Sequence, residues 1–99
     1  MIYILNRYRE DGVEGIRVSD SVEGVRVIFE EILAAERAYF LEMERSWPPI
    51  YLAMARVRQE RERAELADVL ANNKVGSYKI SSSSDLGGYQ LHIVEVEKL

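Results

Sequence analysis

From Val22 onward the apolar residues recur at Val25, Phe29, Ile32, Tyr39, Phe40, Met43 and Trp47, a three-and-four spacing that a helix turns into one face. The pattern stops at Trp47-Pro48-Pro49. Inside a helix a proline removes an amide donor and clashes with the preceding turn, costing about 3 kcal/mol, yet it fits the first turn of a new helix. Two helices are therefore predicted, broken at the prolines. The second runs from about Pro49 to Asn72 and closes at Asn72-Asn73 and Gly76. Asp20 followed by Glu23 has the form of a capping box and should open the first.

Both flanks of the helical region have β character. Ile2 to Arg9 is rich in β-branched and aromatic residues, Glu10-Asp11-Gly12 is a turn signal, and Val13 to Val18 should pair back, with Gly15 weakening that strand. After the helices come Tyr78-Lys79-Ile80, a loop from Ser81 to Gly88, and Tyr89 to Val96, a second hairpin. In the last strand Tyr89, Leu91 and Ile93 share one face while Val94 and Val96 fall on the other, which predicts a bulge near Ile93-Val94 or a strand covered on both sides. At 99 residues the chain holds one core, so residues 1–99 are read as a single domain. The expected architecture is α+β: a small antiparallel sheet built from N- and C-terminal hairpins and packed on a two-helix antiparallel hairpin.

The helical seam carries charge. Continued through the first helix it meets Glu36; read from Ile50 through Ala53 or Met54, Val57, Ala64 and Ala71, the second helix meets Arg61 and Asp68. If the helices fold back at the prolines, Glu36 comes opposite residue 59 or 60 and within reach of Arg61, while Asp68 comes opposite Val27, next to Arg26. A polar layer of Glu36 with Arg61 and Arg26 with Asp68 is expected, fixing the helix register as polar groups in such seams do.

Composition narrows the function. The absence of cysteine excludes disulfides, thiolate catalysis and cysteine-based zinc sites, and suits a reducing compartment. The N-terminus does not read as a signal peptide and no segment has the roughly 20 apolar residues of a membrane span, so a cytoplasmic protein away from membranes is expected. The net charge is -4, and the segment from Asp20 to Arg45 holds seven acids against three arginines, which accounts for all of it. Such a helix disfavours phosphate and favours a basic protein partner. The four arginines between Arg56 and Arg63 are interleaved with acids, so nucleic acid is not the expected partner.

No constellation of catalytic or metal-ligating residues is visible. His92 is the single histidine, and the Gly87-Gly88 loop lacks the lysine and the following helix of a phosphate loop. Neither an enzyme nor a cofactor is expected. The candidate partner-binding residues are Glu30, Glu31, Glu42 and Glu44 on the acidic helix, with Trp47 and Tyr51 at the tip, since large aromatics are favoured anchors at interfaces.

A short N-terminal hairpin, a capped helix and a closing strand of the type Tyr89-Gln90-Leu91-His92-Ile93-Val94-Glu95-Val96-Glu97-Lys98-Leu99 give a layout that resembles small uncharacterised α+β proteins of phages and bacteria. That resemblance implies a small acidic protein that binds a larger component as an inhibitor or accessory factor. Two other expectations are a homodimer joined through the second helix, and a small-ligand sponge, for a nucleotide-like molecule, with a tyrosine-lined pocket between sheet and helices.

Overall fold

The computed structural model describes residues 1–9, 12–43, 50–80 and 88–96. Its elements follow in the order β1 (Ile2–Arg9), β2 (Gly12–Ser19), α1 (Val22–Met43), α2 (Ile50–Asn72), β3 (Gly76–Ile80) and β4 (Gly88–Val94). The strands form one antiparallel sheet in the order β2-β1-β4-β3, and the two helices form a hairpin against it. This is the expected α+β layout. The two terminal hairpins are joined along β1 and β4, with Leu5 opposite Leu91.

The local signals account for most element ends. Ser21, rather than Asp20, caps α1: its Oγ accepts the amide of Gly24 at 3.0 Å. Gly24 also allows Ser19 to lie against the first turn, since a Cβ there would meet the Ser19 hydroxyl at 2.0 Å. Asn73 ends α2 in the left-handed conformation, φ 49°, with its amide on the carbonyl of Val69 at 3.0 Å.

Neither a bulge near Ile93-Val94 nor cover on the outer face of the strand is found there, since Val94 is exposed. β4 pairs regularly with β1 up to Ile2 opposite Val94, where the strand ends, so the change of face needs no irregularity. The register shift falls instead between Arg7 and Tyr8, opposite Gly15 and Val13, so the extra residue is Glu14 on β2.

One face of the sheet carries Tyr3, Leu5, Ile80, Tyr89, Leu91 and Ile93, all buried against Val25, Phe29 and Leu33 of α1 and Leu66 and Leu70 of α2. The rings of Phe29 and Tyr89 meet at 5.0 Å between centroids, tilted by 54°. These contacts use only the N-terminal half of α1 and the C-terminal half of α2. Each helix is about 33 Å long at 1.5 Å per residue, so the other halves project beyond the core. The molecule accordingly measures 54 × 26 × 21 Å, with a radius of gyration of 14.6 Å, against about 13 Å for a compact chain of this size.

Candidate functional site

Where the helices leave the sheet, the inward side of α2 changes from apolar to polar. Its buried positions are Ala55, Gln59, Glu62, Leu66 and Leu70, and Gln59 and Glu62 are both essentially inaccessible. Glu36 of α1 is the hub. Its Oε1 accepts from Arg58 and, at 2.9 Å, from Gln59 Nε2, while its Oε2 accepts from Arg7 of β1 at 3.5 Å. Gln59 Nε2 also donates to the Leu33 carbonyl at 3.1 Å, and Gln59 Oε1 accepts from Arg37 at 3.1 Å. Arg58 donates a second bond, 2.7 Å, to Glu62 Oε1. One arginine thus bridges two carboxylates, and Gln59 ties α2 both to the Glu36 carboxylate and to the backbone of α1 at Leu33.

Burial pushes the Glu62 carboxyl up to about 7, the attraction of Arg58 only partly opposing it. Its Oε2 has no hydrogen-bond partner among the described residues. Burial also works against the Arg58 charge, but the carboxylates of Glu36 and Glu62 outweigh it and hold the guanidinium above its ordinary range. The Tyr89 phenol, buried and close to the same carboxylates, is pushed up to about 12. Perturbed carboxyls often mark functional sites. Glu62, however, lines neither the groove along α1 nor the one between α1 and α2.

The expected polar layer exists with different members. Glu36 lies in it and faces residue 59 as anticipated, but its cation is Arg58 and not Arg61, which is exposed. Arg26 pairs along its own helix with Glu23 at 3.7 Å, and Asp68 is exposed, so the Arg26–Asp68 link is not formed. The reason is a rotation of α2. Leu66, Val69 and Leu70 bury more surface against the sheet than Ala64 and Ala71 can, and they turn the stripe read from Ile50 away from α1.

The acidic helix is largely matched by arginines of neighbouring elements. Glu30 forms a two-point pair with Arg63, at 2.6 and 3.0 Å, whose hydrogen bonds hold its carboxyl below the ordinary range. Glu31 pairs with Arg17 of β2 at 3.2 Å, and Glu42 is exposed. Glu44 and Trp47 lie outside the described residues, and Tyr51 is described only as part of the α2 backbone. The tyrosines expected around a ligand pocket have internal partners: Tyr3 donates to Asn73 at 2.6 Å, Tyr8 to Gln90 at 2.8 Å and Tyr78 to the Lys74 carbonyl at 2.6 Å. The two grooves, of about 470 and 250 Å³, run along α1 and between α1 and α2 and have no tyrosine lining.

Two apolar surfaces are left bare. The sheet face away from the helices exposes Ile16, Val18 and Val94 beside Ile4. The outward stripe of α2 exposes Ile50 at 61%, Met54 at 59% and Val57 at 71%, followed by Arg61, Ala64, Asp68 and Ala71. This stripe keeps a strict alternation of four and three residues from Ile50 to Ala71, the repeat of a helix that packs on another helix along its whole length. Spacing revealed it in the sequence; that it faces outward did not show there. Among the described residues no group of three or more histidine or acidic side chains could hold a metal, and no helix is long and apolar enough to cross a membrane. No family model matches the chain, and neither does any curated protein or solved structure.

Proposed function

We propose that the chain is a small non-enzymatic binding module that docks helix against helix through the outward stripe of α2. The observation that carries this reading is the exposure of Ile50, Met54 and Val57 in one heptad line. Isolated apolar residues on a surface are ordinary, whereas a contiguous line of large ones favours an interaction surface. The pairing of Glu30 with Arg63 and of Glu31 with Arg17 shifts the reading from the acidic face of α1 to α2. A module of this kind acts by occupying its partner, as an inhibitor or accessory factor does.

The chain has no cysteine, so Val57→Cys introduces a single thiol on the stripe and Ser77→Cys, on the far face of the sheet, a control. In native-host extract the thiol at 57 should react with a maleimide at least about tenfold more slowly than it does in dilute pure protein, as burial under a partner requires, with Ser77→Cys, beside His92 at 2.7 Å, reporting the reactivity of the extract itself. A thiol at 57 that reacts as fast in extract and in concentrated pure protein as in dilute pure protein overturns the proposal.

A further inference from the structure

We infer that the outward stripe of α2 is covered by the same stripe of a second copy, the two helices running antiparallel across a two-fold axis near Ala64, with Arg61 of each copy facing Asp68 of the other. The inference rests on the reading of α2 as a docking surface and names its occupant.

The stripe is uneven in a way that suits antiparallel and not parallel pairing. Its N-terminal half carries the large residues Ile50, Met54 and Val57, and its C-terminal half the small residues Ala64 and Ala71. Antiparallel pairing about Ala64 sets Val57 against Ala71 of the second copy, while Met54 lies level with the end of that copy's α2 at Asn72, beyond which Val75 is also exposed, at 55%. Large side chains then fill the space above small ones, and alanines at the crossing let the backbones approach. Parallel pairing would stack large on large and leave the small half under-filled.

Charge selects the same arrangement. Arg61 and Asp68 lie on the stripe seven residues apart, both are exposed, and neither has an ion-pair partner among the described residues. An antiparallel two-fold about Ala64 brings Arg61 of one copy to within one residue, about 1.5 Å along the axis, of Asp68 of the other. The symmetry repeats the pair, as it must when one patch meets itself. Parallel pairing would instead place arginine beside arginine and aspartate beside aspartate. The resulting assembly is a four-helix arrangement with the two sheets at opposite ends, because each sheet packs on the C-terminal half of its own α2.

Sedimentation equilibrium of the purified full chain at micromolar concentration tests this directly. The wild type should have twice the monomer mass of 11.4 kDa. Arg61→Asp and Asp68→Arg should each raise the dimer dissociation constant by at least about tenfold, and the double exchange should restore it. Val57→Lys should give a monomer with an unchanged circular-dichroism spectrum, which keeps the test valid should a charge variant fold poorly. A wild-type monomer, or a dimer indifferent to the single reversals, overturns the inference. A wild-type monomer whose Val57→Cys thiol is protected in host extract removes the second copy as occupant and leaves the docking surface standing. A thiol that is free in both settings removes both readings.

Discussion

The two sides of α2 are unlike, and in the opposite sense to a simple amphipathic helix. Its inward side holds Ala55, Gln59 and Glu62 before it reaches Leu66 and Leu70, while its outward side holds Ile50, Met54 and Val57 before Arg61. Near the sheet, apolar packing decides which side faces in. Farther out, where no sheet remains to pack on, the rotation already set leaves polar groups inside and apolar ones outside. A rigid helix cannot satisfy both halves of such a sequence within one molecule, so the projecting half needs either an internal polar network or an external partner. This chain has the first, and the second is what the docking proposal supplies.

The comparison is tested most severely by truncating one residue on each side. Leu66→Ala removes a buried leucine and should cost about 2–5 kcal/mol, whereas Val57→Ala should change urea-unfolding stability by less than about 0.5 kcal/mol when measured on monomer. Similar losses at both positions would mean that the assignment of inward and outward sides is wrong.

The polar section of the inward side has a distinct signature in pH. Burial raises the Glu62 carboxyl from 4.5 to about 7 in the folded chain. Between those values the folded state holds a proton that the unfolded state has lost, so the slope of stability with pH is negative. The contribution is fully present below about 4.5 and lost as pH rises through about 7. Glu62→Gln keeps the shape without the titration. It should flatten that decline and melt higher than wild type above pH 7; an unchanged slope in a series of thermal melts would show that Glu62 does not titrate there.

The smallest effect belongs to the exposed rim. Glu30→Gln breaks the two-point pair with Arg63, but both side chains are more than a third exposed, so solvent screening limits the loss to less than about 1 kcal/mol. Added salt should shrink the difference further. A larger loss that is insensitive to salt would place the pair with the buried network and blur the contrast between rim and interior.

Much of the fold was legible in the chain. β-Branched and aromatic content marks β1, alternation of apolar residues marks β4, the prolines separate two helices, and Asn73 closes the second, because these signals depend on local backbone preferences. The expected site was legible only in part. Glu36 was identified as a seam carboxylate opposite residue 59, and Gln59 does bind it, at 2.9 Å. Arg58 and Glu62 are not legible in the sequence, because the periodicity of α2 supports two stripes and the more apolar one faces outward.

By itself, then, the sequence determined the elements, their order, the antiparallel helical pair and the existence of a charged layer between the helices. Only the tertiary structure decided the rotation of α2, and with it that Arg58, rather than Arg61, is the α2 cation that pairs with Glu36 in that layer. The physical reason is that spacing fixes which residues share a helix face, while the choice of the face to bury is made by the surface it packs on. Here that surface is the sheet, which reaches Leu66 and Leu70 and stops short of Val57.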